Sequence, residues 1–216
     1  MTAPEVELRR AWRAVVGPAG AARPSPATEA TFESLLARHR EPHRRYHTAT
    51  HVMWVLRHLH ELSLAGEGPS DVPAVQLAAL FHDMVYDPRT TDNEARSAAR
   101  AAEAATQLGW SPERCAMVHR LVMATAGHEP TDADEAALVD ADLAILGAPP
   151  NEYAAYARAV RAEYAHVSDD AWRVGRAAVL RGFAARSHLY ATAHMRSTRE
   201  SRAFANVAAE LATLSA

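Results

Sequence analysis

The chain has 216 residues, 49% of them hydrophobic and only 6% aromatic, with a formal charge of −3. That length suits one globular domain with a sizeable core, and an apolar content so rich in alanine leans towards helix. The balance of charge argues against a nucleic-acid polymer as main partner, no apolar run reaches the roughly 20 residues needed to span a bilayer, and the lone cysteine, Cys115, excludes an intramolecular disulfide.

The N-terminus, MTAPEVELRRAW, lacks the charged-then-apolar order of a signal peptide. The expectation is a cytoplasmic protein with no membrane association. Pro4 to Val16 reads as a short amphipathic helix, and GPAGAARPSP, Gly17 to Pro26, as a loop. A second helix starts at Thr28, with Phe32, Leu35 and Leu36 on one face, and stops before Pro42. Thr48 or Thr50 caps a third, running to about Leu64. Asp71 caps a fourth, with Pro73 in its first turn, reaching about Tyr86 through LAALFHDMVY. DPRTTDN is a polar loop. Asn93 to Leu108 forms a fifth helix, stopped by Gly109. Ser111, Pro112 and Glu113 open a sixth that ends near Thr125. After the loop AGHEPTDAD, a helix runs from Asp134 to Leu146 and Gly147 ends it. Asn151 to His166, Ser168 to Arg186 and Ser197 to Leu214 supply the last three. No strand-like alternation, repeat or linker interrupts this pattern. It predicts a single all-α domain of about nine or ten helices. Phe204, Val207 and Leu211 share a face of the last helix, which is expected to pack on its own domain; a monomer and a homodimer are both compatible.

Four clusters hold ionisable residues in apolar settings: Tyr46-His47-x-x-x-His51, His82-Asp83, Asp140-Ala141-Asp142, and His128 in ATAGHEP. Adjacent residues on a helix diverge by about 100°, yet both side chains of His82 and Asp83 can reach one point beyond the helix surface. A divalent cation is such a point, and imidazole with carboxylate suits Mn, Fe, Co, Ni or Zn, and less well Mg. His51 can add another nitrogen and Asp142 another oxygen, which makes two histidines and two aspartates from three helices. Each piece alone has an ordinary alternative: a solvated side chain, a cap, or a buried histidine bonded to a carbonyl.

A histidine opening a helix, an HD pair about thirty residues on and an aspartate about sixty residues later resemble the HD-domain superfamily of metal-dependent phosphohydrolases. YHTATHVMWVL, LAALFHDMVYDP, DNEARSA, LVMATAGH, LVDADLAILG, YAAYARAVRAEYAHV and ESRAFANVAAEL look like successive blocks of one bacterial subfamily. The resemblance implies an HD-like helical hydrolase domain over residues 41–216, with residues 1–40 as a helical segment covering it. It implies His51, His82, Asp83 and Asp142 as ligands of a divalent metal. Asp142 is preferred to Asp140 because the superfamily's aspartate is followed closely by apolar helix. A glutamate often follows the HD pair to position water; this chain has Tyr86 and Asp87 there. Glu94, opening the next helix, is the replacement expected as general base, with Asp87 second. Glu94 is equally explained as an acidic residue favoured by a helix N-terminus.

A metal held this way would activate water and polarise a phosphoryl oxygen, and phosphoryl transfer needs positioning and neutralisation more than covalent help. Candidate phosphate binders are Arg44, Arg45, His47, His128 and Arg161. The expected substrate is a small phosphorylated metabolite; a nucleotide is implied only by the superfamily resemblance. Two alternatives accompany this reading. One is a di-iron oxygenase in which His47 and His128 bind a second iron. The other is a non-catalytic sensor that keeps its metal to bind a small molecule.

Overall fold

A computed structural model describes residues 1–17 and 25–215. Most of the expected loop Gly17–Pro26 therefore lies outside the described residues. The described residues form ten helices and no strand. They are α1 (Ala3–Val16), α2 (Pro26–His39), α3 (Ala49–Leu64), α4 (Val72–Phe81) and α5 (Asn93–Gln107). Then come α6 (Pro112–Gly127), α7 (Ala133–Leu143), α8 (Pro150–Glu163) and α9 (Asp169–Ala184). The last, α10, is built from Ala193–Met195, a π-helical stretch Arg196–Glu200, and Ser201–Leu214.

The caps follow from local chemistry. Ser25, Thr48, Asp71, Ser111, Asp132 and Ser168 each accept a first-turn N–H through the side chain. Gly109 leaves α5 with φ 75°, which costs glycine little. Three expectations need correction. α7 ends at Leu143 and tightens into a 3₁₀ turn, Ala144–Gly147, rather than staying α-helical to Leu146. α10 begins earlier than Ser197, because Thr192 caps it by accepting from Met195 N–H at 3.3 Å. α4 ends at Phe81, short of the HD pair.

α4 explains where the fold puts its histidines. Ala74, Val75, Leu77, Ala78, Ala79, Leu80 and Phe81 are all buried, so beyond its first residues and apart from Gln76 the helix is apolar and lies in the centre. It packs against α1, α3, α5, α6 and α7. α1 is part of the same core: Trp12 is fully buried and stacks near Phe32 at 5.8 Å and Phe81 at 6.2 Å.

α10 packs on its own domain, as expected. Glu210 on α10 accepts two bonds from Arg176 on α9, at 2.8 and 3.1 Å, and one from the Tyr153 hydroxyl on α8 at 2.5 Å. Among the described residues, no helix is long and apolar enough to cross a membrane.

Candidate metal centre

Three helices deliver the site. Thr48 starts α3, so His51 falls in its first turn. α7 carries Asp142 one residue before its end. α4 carries the HD pair, but not within its helical body. His82 is the C-cap, with its ring Nδ1–H donating to the Ala79 carbonyl at 2.9 Å, and Asp83 lies in the turn beyond. The chain leaves the helix there because the carbonyls of Asp83 and Met84 are captured by the Arg44 guanidinium at 2.7 and 3.0 Å.

The four expected ligands converge. His51 Nε2 lies 3.0 Å from His82 Nε2, 3.0 Å from Asp142 Oδ1 and 3.4 Å from Asp83 Oδ2. His82 Nε2 lies 3.1 Å from Asp83 Oδ2 and 3.5 Å from Asp142 Oδ1. Both imidazoles are buried and both carboxylates nearly so. Because the Ala79 carbonyl holds the proton of His82 on Nδ1, its Nε2 lone pair faces inward. With two imidazole nitrogens 3.0 Å apart and a carboxylate oxygen beside each, the cluster needs a shared cation, a proton or a metal ion.

The electrostatics agree. Burial alone would raise the Asp83 carboxyl, but His82, His47 and His51 outweigh it and hold it well below the usual carboxylate range. Burial likewise opposes ionisation of Asp142, yet hydrogen bonds from His128, His51 and His82 hold it well below that range. Burial pushes the His82 and His51 imidazoles down, and the two carboxylates more than reverse this, so both stand above the ordinary histidine value. A centre that binds a proton this firmly is also suited to a metal cation.

Asp140 is engaged elsewhere. It is 1% exposed and accepts from Ala191 N–H at 2.8 Å, Thr192 N–H at 2.7 Å and the Thr192 hydroxyl at 2.6 Å. It ties α7 to the start of α10, leaving Asp142 as the DAD aspartate that meets the histidines.

The remaining predicted residues divide. His128, at φ 52° as the C-cap of α6, puts Nε2 3.3 Å from Asp142 Oδ2. His47 stacks on Tyr86 at 4.2 Å between ring centroids, and its Nδ1 lies 2.7 Å from Glu163. Arg45 is exposed and lines the cavity beside His51 and Asp142. Arg44 does not meet the expectation of a phosphate binder. Its side chain is fully buried and bonds Glu41 and the carbonyls of His47, Asp83 and Met84, so it shapes the loops around the centre. Arg161 is also turned to structure: it donates to the Tyr164 and Val167 carbonyls and to Asp169, closing the α8–α9 turn.

Neither expected general base joins the cluster. Asp87 uses its carboxylate on the Arg89 N–H at 3.0 Å, forming a turn of its own. Glu94 sits in the first turn of α5, and among the described residues no hydrogen bond or ion pair links it to the four ligands. Its helix-terminus explanation accounts for it.

Glu163 was missed in the sequence. Its side chain has no exposed surface. Oε1 accepts three successive backbone N–H groups, from Arg45 at 2.6 Å, Tyr46 at 2.8 Å and His47 at 3.0 Å. Oε2 accepts from His47 Nδ1 at 2.7 Å and the Tyr86 hydroxyl at 2.9 Å. These donors outweigh burial and hold the carboxyl at about 2. One signal was available: Tyr153, Tyr156, Val160 and Glu163 fall at helical spacing, so the glutamate continues a largely buried stripe. No protein-family model, curated protein or solved structure matches the chain.

Proposed function

We propose that the protein is a metal-dependent phosphohydrolase acting on a small phosphorylated molecule, with His51, His82, Asp83 and Asp142 as the metal ligands. The observation that carries this reading is the convergence of two imidazole nitrogens and two carboxylate oxygens, with His51 Nε2 and His82 Nε2 only 3.0 Å apart. Two nitrogens and two oxygens suit a first-row divalent ion, and four protein ligands leave room for substrate. When bound, the ion supplies Lewis acidity for a phosphoryl oxygen and for water.

The chain's own groups supply the rest. An ionised Glu163 requires the proton of His47 to sit on Nδ1, which frees Nε2 for proton transfer. Tyr86 stacks on the ring and donates to the same Glu163 oxygen, fixing the orientation of His47. In this reading His47, not Glu94 or Asp87, moves the proton: its Nε2 accepts one from the attacking water and then returns it to the leaving oxygen. Arg45 lines the adjoining cavity and offers positive charge to a phosphate.

A second reading, a di-iron oxygenase, draws on one observation: His128 faces the other oxygen of Asp142 at 3.3 Å. In that reading Asp142 and His128 would help to hold a second iron. Elemental analysis of protein purified without chelator or nickel resin, beside His82→Ala, tests both. One equivalent of a transition metal that is lost in the variant, with hydrolysis in a panel of nucleotides and phosphomonoesters, is the expected result. Two irons per chain would favour the oxygenase. No metal in the wild type, and none taken up from Mn, Fe, Co or Ni, would sink both readings.

A further inference from the structure

The cavity beside His51 and Asp142 encloses about 670 Å³, and its far wall plays no part in the centre just described. That wall includes Arg199, in the π-helical stretch Arg196–Glu200, and Arg202 just after it. π-turns are rare and collect at functional sites. This one approaches the 3₁₀ turn after α7 closely because residue 147 is glycine. A Cβ there would lie 2.6 Å from Arg199 Cβ, 2.8 Å from the Arg199 carbonyl oxygen and 2.9 Å from the Tyr190 hydroxyl.

Arg199 is largely buried, with 18% of its side chain exposed. Its NH2 donates to Glu61 Oε2 at 2.7 Å and lies 3.4 Å from His58 Nδ1. Its Nε is buried and has no hydrogen-bond partner among the described residues. A buried guanidinium N–H without an acceptor is costly, so the Arg199 charge is incompletely satisfied by its protein neighbours, and the exposed edge of its side chain lines the cavity where an anionic ligand can meet it. Glu61 offsets only part of the charge, since it also receives His194 at 2.8 Å and His58 at 3.0 Å. Arg202 adds a second cation, positioned by donating to the Gly147 carbonyl at 2.9 Å.

The spacing follows from α3. His51 and His58 lie on that helix and both line the cavity. At seven residues apart they stand about 10 Å from each other along its axis. Between the two ends the lining is mostly apolar, with Val55, Ala144, Ile145, Ala148 and Ala159.

We propose that Arg199, assisted by Arg202, forms a second anion subsite. The substrate class is then a phosphorylated molecule with an elongated, largely apolar body. It carries another anionic group, carboxylate or phosphate, about 10 Å from the group held at the His51 end. The identity of that first group rests on the phosphohydrolase reading; the Arg199 end rests on its own geometry.

The test is calorimetric titration of full-length protein, with and without Mn²⁺, using ω-phosphonoalkanoates of increasing length and alkylphosphonates of matched length. The wild type should prefer the carboxylate-bearing series by about tenfold, the scale of one charge-assisted hydrogen bond. The preference should peak at the chain length that spans about 10 Å. It should collapse towards one in Arg199→Gln and survive in part in Arg199→Lys. Arg199→Gln keeps the Cβ that packs on Gly147; should it unfold, Arg202→Gln replaces it and should lower the preference more modestly. Equal affinity for the two series, an undiminished preference in the glutamine variants, or no binding of either series overturns the proposal. Failure of the phosphohydrolase reading looks different: the preference persists, Mn²⁺ leaves affinity unchanged, and no phosphoester is cleaved.

Discussion

Glu163→Gln isolates one carboxylate with an effect that can be worked out in advance. The amide has nearly the same volume. Its oxygen can still accept the N–H groups of Arg45, Tyr46 and His47, which approach Oε1 at 2.6, 2.8 and 3.0 Å. Its NH₂ must then face His47 Nδ1 and the Tyr86 hydroxyl, where Oε2 sat 2.7 and 2.9 Å away. Tyr86 can rotate its proton, but His47 must move its own to Nε2. The carboxyl is held at about 2 in the folded chain, against an unperturbed value of 4.5. At about 1.4 kcal/mol per pH unit, that gap contributes about 3 kcal/mol to folding. The folded value is depressed, so the contribution is fully present above about pH 4.5 and is lost as pH falls towards about 2. Urea unfolding of both proteins at pH 7 and at pH 3 measures it. Wild type should lead by about 3 kcal/mol at pH 7 and by much less at pH 3. A lead below about 1 kcal/mol at neutral pH, or one that does not shrink in acid, would refute the assignment of Glu163 as the ionised anchor of His47.

Asp140→Ala and Asp142→Ala should behave oppositely although the two residues are near neighbours. Loss of Asp140 strands three donors at Ala191 and Thr192, two of them from Thr192, and should cost about 3 kcal/mol or more with metal uptake retained; urea unfolding and elemental analysis read both quantities. Asp142→Ala should abolish metal uptake, and retention of a full equivalent would remove it from the ligand set. Gly147→Ala drives a methyl into Arg199 and Tyr190 and should destabilise by about 1–3 kcal/mol in thermal or urea unfolding. A neutral result there would mean the π-stretch can shift freely, and with it Arg199.

The helices were legible because their signals are local. Caps such as Ser111 and Ser168 lie beside the N–H groups they satisfy, and Gly109 sits at the turn it permits. Where local pattern misled, a distant side chain was responsible. The fourth helix was expected to reach Tyr86, yet Arg44 takes the carbonyls of Asp83 and Met84, 39 and 40 residues away in sequence. Arg44 itself looks like a free cation beside the site until its partners are seen. Arg161 misled in the same way, its carbonyl partners being visible only once the turn after α8 is folded.

The sequence by itself determined the helical class and the kind of atoms available, two histidines and two aspartates in apolar surroundings. It did so because helix periodicity, capping and burial of apolar faces act over a few residues. Tertiary structure alone decided that Asp140 binds backbone while Asp142 meets the histidines, since the residues that occupy Asp140 lie 51 and 52 positions away. It also decided that Glu163, at 116 residues from His47, sets that ring's proton, and that Arg199, at 141 residues from His58, closes the far end of the cavity. Side-chain contacts across such separations depend on how whole helices pack, and no local pattern encodes them.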